Sequence, residues 1–448
     1  MTHPLLPPAL LDARLPRYTS YPPADRFTDR IGPEAMQDWL ADVAPGTPVS
    51  LYVHVPFCRR LCRFCACRTQ GTQSDAPLDR YLDHLDQEIA LVAAALPPGL
   101  PVGALHLGGG TPTILSADRI DRLGEMIGRR FDIRAETEVS VEIDPTECDD
   151  DRLDALARLG TRRVSLGVQD FDPLVQETIG RQQSAALTCT VAEAARARGI
   201  DSLNVDLVYG LPHQDLARLE ATLATVLELR PDRIALFGYA HVPWMSRRQA
   251  LIPEETLPDG RARQALAARA REVLEGEGYG PVGIDHVALP GDSMARSAEA
   301  GTIRRNFQGY TTDTAPVLIG LGPSSISRFP QGYAQNQPAT GAWQAAIAAG
   351  RPATVRGTAL SRTDRQIADI VEALMCVGRV DLDPISRGTP GTRAALLRRA
   401  EALVADLPGI ARLDGTELSV SHRAAWRLAA SRFDVGLAPR DGRYSLAS

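Results

Sequence analysis

The sequence contains no lysine: its 49 basic residues are all arginine. That absence excludes a lysine Schiff base, a P-loop lysine and a lysine general base, even if a compositional bias of the genome is its cause. A surplus of cations is also missing, with 49 basic residues against 55 acidic ones and a formal net charge of −6. A protein devoted to coating nucleic acid or anionic lipid is therefore not expected, although a local basic site remains open. Nor is there an uninterrupted apolar run. The longest stretch without Asp, Glu, Arg or Lys, from Ile89 to Ala117, is broken by Pro97, Pro98, Pro101, Gly108, Gly109, Gly110 and Pro112. It fits a helix end, a turn, a short strand and a glycine loop better than a membrane span. The first residues, with Pro4, Pro7 and Pro8 breaking their few leucines and no basic residue ahead of them, lack the form of a signal peptide, so the expected location is the cytoplasm.

What is present suffices for a large core: 448 residues, 44% hydrophobic, read as a globular protein of two or three domains. Seven cysteines, an odd number without an export signal, argue against a disulfide framework and for metal or redox chemistry. Four of them close the segment Leu51-Tyr-Val-His-Val-Pro-Phe-Cys58-Arg-Arg-Leu-Cys62-Arg-Phe-Cys65-Ala-Cys67, where an alternating strand runs into a C-x3-C-x2-C-x-C loop. Structural zinc takes two such pairs, or one pair with histidines downstream, and no second cluster follows. Ferredoxin spacing, C-x2-C-x2-C with a fourth cysteine, does not match either. Three cysteines at C-x3-C-x2-C can wrap one corner of a 4Fe-4S cluster and leave the fourth iron open to a substrate. The loop resembles the cluster motif of the radical S-adenosylmethionine enzymes, in which that iron chelates the methionine part of the cofactor and a 5'-deoxyadenosyl radical is released. Cys67 has little room to reach the open iron and is not expected to be a ligand. Cys148, Cys189 and Cys376 read as packed thiols.

Downstream, apolar strands alternate with amphipathic helices, the order of successive βα units on a parallel sheet. Strands are expected at Ser50 to Val55, Ala104 to Leu107, Glu138 to Ile143, Arg163 to Gly167, Ser202 to Val208 and Arg233 to Phe237. Helices are expected at Leu78 to Leu96, Ser116 to Arg130, Asp149 to Leu159, Pro173 to Arg198 with a break near Gly180, and Leu216 to Leu229. Six units in about 190 residues predict a partial (β/α)6 barrel, since a full eight-unit barrel takes roughly 250. Chemistry in such barrels sits at the C-terminal strand ends, and polar residues gather there: Gly108-Gly109-Gly110-Thr111-Pro112, Glu142, Gln169, Asp170 and Asp206, with Arg181 able to fork onto a carboxylate.

The motifs taken together resemble one family, the oxygen-independent coproporphyrinogen III oxidases of haem biosynthesis. They run from Pro16-Arg-Tyr-Thr-Ser-Tyr-Pro22 through Tyr-Val-His-Val-Pro-Phe-Cys, Gly-Gly-Gly-Thr-Pro-Thr, Gly-Val-Gln-Asp-Phe, Asp-Leu-Val-Tyr-Gly-Leu-Pro and Tyr-Ala-His-Val-Pro to Asn306-Phe-Gln-Gly-Tyr-Thr-Thr and Tyr333-Ala-Gln-Asn-Gln. The resemblance implies that Cys58, Cys62 and Cys65 hold one 4Fe-4S cluster. It implies that Tyr52, Phe64, Gly109, Gly110, Thr111, Glu142, Gln169, Arg181, Asp206, Ala240 and Ile326 hold S-adenosyl-L-methionine, two molecules of which are bound. The implied reaction converts two propionates of coproporphyrinogen III to vinyl groups, giving protoporphyrinogen IX. An electron donor for the cluster and a final electron acceptor are needed as partners. Four propionates call for arginines at the barrel mouth, and Arg17, Arg304 and Arg305 are the candidates, with Gln308 near the substrate or second cofactor.

The expected organisation is an α/β chain with extra strands on the barrel's sheet. An N-terminal arm at 1–48 lies near the active-site mouth, the catalytic barrel and its extension fill 49–337, and 338–365, rich in Ala, Gly, Pro and Thr, form a linker. A mostly helical, winged-helix-like domain follows at 366–448, read as a lid or packing module and not as a nucleic-acid binder, in a monomer. A rival reading is a haem-binding chaperone on the same core. Such proteins lack the cysteine at the Cys67 position and the Asn-Phe-Gln-Gly-Tyr-Thr-Thr stretch, and both features favour the oxidase.

Overall fold

A computed structural model describes residues 15–437; the outer parts of the expected arm and C-terminal domain, 1–14 and 438–448, lie outside the described residues. The six expected strands form and run parallel: β1 (Val49–Val55), β2 (Val102–Gly109), β3 (Glu138–Ile143), β4 (Thr161–Gln169), β5 (Ser202–Tyr209) and β6 (Arg233–Gly238). Helices Ala76–Ala95, Ala117–Gly128, Asp150–Arg158, Pro173–Ile179, Ala185–Ala197 and Leu216–Glu228 connect them. The break expected near Gly180 is a left-handed cap: at φ +68° its N–H bonds back to Gln176 and Glu177, and the Ser184 side chain opens the next helix by accepting from the Leu187 amide.

The alternation along these strands decides the architecture. Leu51, Val53, Val55, Leu105, Leu107, Val139, Val141, Val164, Leu166, Leu203 and Val205 are each at most 2% exposed and sit in the main core. Each such side chain stabilises the sheet by roughly 1.5–3 kcal/mol when fully buried. The residues between them, His106, Ser140, Glu142, Arg163, Ser165, Asn204, Asp206 and Arg233, line a small cavity of about 180 Å³ on the opposite face. One face therefore packs on helices, while the other is a polar lumen.

Further strands widen the sheet at both edges. β8 (His286–Ala288) adds antiparallel to β6 and β7 (Gly280–Val282) antiparallel to β8, while β9 (Val317–Leu321) adds parallel to β1 and is followed antiparallel by β10 (Ile326–Phe329), β11 (Gly332–Asn336) and β12 (Thr354–Ala359). The result is one open twelve-stranded sheet, β12-β11-β10-β9-β1-β2-β3-β4-β5-β6-β8-β7, the partial barrel with extra strands. The structure differs from the reading of 338–365 as a linker. These residues hold helix Thr340–Ala348 and edge strand β12, because Trp343, fully buried, anchors the helix and β12 pairs along β11.

The C-terminal region begins with helix Arg362–Val377, a few residues ahead of the expected boundary, and adds Leu382–Ser386, Pro390–Asp406 and Trp426–Phe433 to a three-stranded antiparallel sheet of Arg379–Asp381, Ala411–Asp414 and Glu417–Val420. Its core, around Ile370, Leu374, Leu403 and Phe433, also takes in Leu15, Tyr18 and Tyr21 of the N-terminal arm. Among the described residues no helix is long and apolar enough to cross a membrane.

A single buried acid ties the widened edge to the barrel. Glu88, 3% exposed on helix Ala76–Ala95, accepts from the Gly322 amide (2.6 Å), Asn336 Nδ2 (2.7 Å) and Trp343 Nε1 (3.1 Å). Burial pushes its carboxyl up to about 7 in spite of these donors. Replacing Glu88 by Ala strands three buried donors and is expected to cost about 3 kcal/mol or more in urea denaturation. Because the folded form holds a proton that the unfolded form has released, the Glu88 contribution is full below the ordinary glutamate range and lost as pH rises to about 7. Glu88→Gln should remove that slope from the stability profile.

Candidate functional site

The C-terminal ends of β1 to β6 open onto a cleft of about 650 Å³. The cysteine loop forms one side of it. After β1 the chain pairs Phe57–Cys58 with Gln70–Gly71, closing the loop on itself. The glycine segment after β2 then runs beside it: the Gly110 amide donates to Val55 O (2.8 Å), the Thr111 amide to Phe57 O (2.9 Å), and Thr111 Oγ1 to Cys58 Sγ (3.5 Å). A Cβ at Gly110 would stand 2.5 Å from Phe57 O and 2.9 Å from Val55 O, so only glycine permits this approach.

Cys58, Cys62, Cys65 and Cys67 all line the cleft; Cys62 is buried, Cys58 and Cys65 half-buried, Cys67 exposed. The loop is strapped from the far side by residues that sequence reasoning missed: Ser246 Oγ donates to Cys65 O (2.9 Å), Gln249 Nε2 to Phe64 O (2.7 Å) and Arg248 Nη2 to Cys67 O (3.2 Å). No periodicity marks this segment, and the signal, a Gln only 1% exposed, exists only in the folded chain. Among the described residues no three His, Cys, Asp or Glu converge as on a single metal ion. Three thiols around one cleft, one touched by the Thr111 hydroxyl and another, Cys62, by Arg181 Nη1 at 3.7 Å, are a donor set that fits a multi-iron cluster held one iron per thiolate.

The polar strand ends meet opposite the loop. Glu142, 41% exposed toward the cleft, accepts from the Gly109 amide (3.0 Å) and lies 3.5 Å from His106 Nε2. Desolvation alone would raise its carboxyl, but His106, the Gly109 amide and His54 together hold it below the usual value. Asp206 is pushed up to about 6 by burial and by the charge of Glu142, against hydrogen bonds from Ser165 Oγ (2.9 Å) and Asn204 Nδ2 (2.8 Å). Gln169 sits at a register shift in β4 with φ +70°. A non-glycine residue held there costs about 1–3 kcal/mol and is kept where its surroundings over-determine it, here to turn the side chain into the cleft. Arg181 is almost buried; it donates to Gly167 O (2.6 Å) and pairs with Asp144 (3.1 Å). Asp144 stands in the same Ser-Val-Glu-Ile-Asp-Pro stretch as Glu142, but its role depends on an arginine 37 residues away, beyond the reach of a motif.

Of the residues expected around the cofactor, Phe64, Gly109, Gly110, Thr111, Glu142, Gln169, Arg181, Asp206 and Ala240 line the cleft. Tyr52 and Ile326 do not. Tyr52 stacks on His106 (5.7 Å) with its hydroxyl 3.0 Å from His54 Nδ1, and Ile326 opens β10 at the same end of the sheet. Of the mouth arginines, Arg17 lines the cleft and donates to Gly238 O (3.1 Å). Arg304 and Arg305 are not brought there: Arg304 is drawn to Glu372 (3.0 Å), while Arg305, 7% exposed, stacks over Tyr310 (4.4 Å) and donates to Tyr18 O (3.3 Å). Gln308 lines the lumen, which shares Glu142, Ser165, Asp206 and Phe237 with the cleft.

Residues 52–226 match the model of the Radical SAM superfamily. An oxygen-independent coproporphyrinogen III oxidase of Paracoccus denitrificans is 49% identical over 427 residues, 95% of each chain, and one of Escherichia coli is 40% identical over 372 residues, 83% of this chain and 81% of that one. The solved structure of coproporphyrinogen III oxidase from Escherichia coli, described as a radical SAM enzyme, superposes with a TM-score of 0.90 at 37% identity, covering 94% of this chain and 98% of that one.

The contact of the glycine segment with the cysteine loop sets an expectation independent of any ligand. Gly110→Ala should lose about 1–3 kcal/mol of stability in denaturant titration through overpacking against Phe57 O. An unchanged midpoint would mean that the two segments part without cost.

Proposed function

The chain belongs to the oxygen-independent coproporphyrinogen III oxidases of the radical SAM superfamily, and from that premise we propose how its own residues carry the reaction. It is an oxidoreductase that uses a 4Fe-4S cluster and S-adenosylmethionine. When bound, these supply the 5'-deoxyadenosyl radical that takes a hydrogen from the β-carbon of a propionate, a task no side-chain base performs on an unactivated C–H bond; loss of carbon dioxide and an electron leaves the vinyl group. Cys58, Cys62 and Cys65 hold the cluster, and Cys67 is spared as a ligand.

Arg181, fixed by Asp144 and by Gly167 O, presents its remaining guanidinium edge to the methionine carboxylate. Glu142, Gln169 and Asp206 would serve the amino group and hydroxyls, while Phe64 and Ala240 would face the adenine and Tyr52 supports the floor through His106. Val242, Met245, Phe237 and Tyr239 give the cleft an apolar wall suited to a tetrapyrrole, with Arg17 at its rim for a propionate. Two propionates are converted, so two S-adenosylmethionine molecules would be consumed, and Gln308, lining the lumen next to the cleft, would serve a second one. The enzyme acts as a monomer in the cytoplasm; one partner would supply the electron consumed in cleaving the cofactor, and a separate acceptor would take the electron that the substrate loses with carbon dioxide.

The observation that carries this reading is the convergence of the three thiols, the glycine segment and the Arg181–Asp144 pair on one cleft. Cys67 and the Asn306-to-Thr312 stretch favour the oxidase over the haem-binding chaperone, as do relatives named as oxidases that span nearly the whole chain. The test is anaerobic: reconstituted protein with reductant, S-adenosylmethionine, coproporphyrinogen III and an electron acceptor, following 5'-deoxyadenosine and protoporphyrinogen IX together. Both products should form, and in Cys62→Ala both should fall to under about 1% because the radical comes from the cofactor. Deoxyadenosine without a vinyl product would move the substrate elsewhere, and neither product with tight haem binding would favour the chaperone.

A further inference from the structure

Four arginines gather where the end of β6, the N-terminal arm and the C-terminal domain meet. Arg17 Nη2 donates to Gly238 O (3.1 Å), and Arg263 Nη2 donates to the next carbonyl, Tyr239 O (2.8 Å). Arg305 Nε donates to Tyr18 O (3.3 Å), one residue along the arm from Arg17, and its Nη2 lies 4.0 Å from Asp285. Arg427 comes from helix Trp426–Phe433 of the C-terminal domain. It stands close enough to Arg17, Arg305 and Asp285 to feel their charges: burial and the two arginines hold its guanidinium below the ordinary arginine value, against the pull of Asp285. Asp285 is thus shared among several cations, and its Oδ1 is already paired with His286 Nδ1 (2.7 Å).

One member of the group opens onto the cleft. Pro16 and Tyr18 are buried, while Arg17 between them is exposed and lines the cleft. Tyr18, at φ +47°, makes the turn that separates them: its ring joins the core of the C-terminal domain and its hydroxyl donates to Asp434 (3.0 Å). A non-glycine residue is kept in that conformation where its surroundings over-determine it, and here the result is a fixed guanidinium at the cleft wall. Arg263, Arg305 and Arg427 do not line the cleft and stand behind Arg17. Like charges gathered in a recess of low dielectric repel one another, and an anion that reaches Arg17 relieves the whole group.

We infer that Arg17, backed by Arg263, Arg305 and Arg427, is the seat for the propionates that the reaction leaves intact, so that the C-terminal domain helps to choose which side chains of the tetrapyrrole meet the radical. The inference rests on the tetrapyrrole reading of the cleft. A propionate that reacts gives up its carboxylate as carbon dioxide, and cations that stabilised this carboxylate beforehand would raise the barrier. The two carboxylates common to coproporphyrinogen III and protoporphyrinogen IX carry no such penalty. Held at the arginines, they turn the other two propionates toward the cofactor. Arg17 touches the carboxylate, whereas Arg427 is a positioning residue that acts on it through its charge.

The test uses the reconstituted holoprotein with protoporphyrin IX and its dimethyl ester as probes, because the first carries only the two kept carboxylates and the second has them blocked. In absorbance titrations the wild type should bind the diacid about tenfold or more tightly than the ester, the range of charge-assisted hydrogen bonds. Arg17→Gln should abolish this preference, and Arg427→Gln should reduce it about fivefold, as the loss of one unit charge near a partly buried anion does. Arg427→Lys keeps the charge without the planar fork and should retain the preference. Both Gln variants should raise KM for coproporphyrinogen III and leave the affinity for S-adenosylmethionine unchanged. If Arg427→Gln fails to fold, Arg17→Gln, at an exposed side chain, decides the matter. A diacid preference that survives in Arg17→Gln overturns the inference, as does a loss in Arg427→Lys equal to that in Arg427→Gln, which would make Arg427 a structural residue. Wild-type protein that forms protoporphyrinogen IX but binds diacid and ester alike overturns the seat alone, while protein that binds neither porphyrin and forms no vinyl product overturns the reading on which the seat rests.

Discussion

The alternation of side chains along six parallel strands is the constraint on which the rest of the structure depends. A strand turns successive residues to opposite faces, so the same segment that buries Val164, Leu166 and Val168 under helices must present Arg163 and Ser165 to the lumen and Gly167 and Gln169 to the cleft. Polar residues on that inner face are tolerated because they satisfy one another: His106 meets Ser140 at 2.7 Å, and Asn204 donates to Ser165 (2.7 Å) and to Asp206 (2.8 Å). A one-residue slip in any of these strands would put its apolar set into the lumen and its polar set under a helix, which the core would not accept. The positions of Glu142, Gln169 and Asp206 at the mouth are therefore consequences of packing on the other side of the sheet.

The site adds a second element to that frame, the glycine segment that holds the cysteine loop at a fixed distance. Hydrogen bonds from the amides of Gly110 and Thr111 extend the parallel pairing of β1 and β2 past the end of the sheet, so the start of the loop behaves as one more rung of the ladder. The far end is held by side chains from the 246–249 strap. Between these anchors the cysteines are kept near the cleft by the backbone on either side of them. Arg181 joins both halves: one nitrogen touches the Cys62 sulfur and Asp144, the other the Gly167 carbonyl on β4.

Much of this was legible in the sequence, because the signals were local. The C-x3-C-x2-C spacing, the strand before it, the period-two segments from Ser50 to Phe237 and the polar strand ends each lie within a few residues of one another. What escaped reading depends on partners far along the chain. Residues 338–365 are poor in large apolar side chains and read as a linker, yet β12 exists because β11 offers it a pairing edge and Trp343 reaches Glu88, 255 positions away. Arg304 and Arg305 carry the charge a propionate would want, but Glu372 and the Tyr18 carbonyl, supplied by distant parts of the chain, claim them first. Asp144 and Gln249 were invisible for the same reason.

The C-terminal domain shows how distant parts of the chain become one functional unit. Its core is completed by Leu15, Tyr18 and Tyr21, so part of the arm is packed as though it belonged to that domain. Asp434, whose side chain is fully buried, accepts two bonds from Arg26 (2.6 and 2.8 Å) and one from the Tyr18 hydroxyl (3.0 Å). A buried carboxylate stripped of such partners costs several kcal/mol, so arm and domain hold each other in place. The arm that is fixed this way carries Arg17 to the rim of the cleft, where it bonds the Gly238 carbonyl at the end of β6. The winged-helix-like shape is thus explained by what it grips. It is a clamp that sets the position of the arm, and through the arm one wall of the active-site mouth.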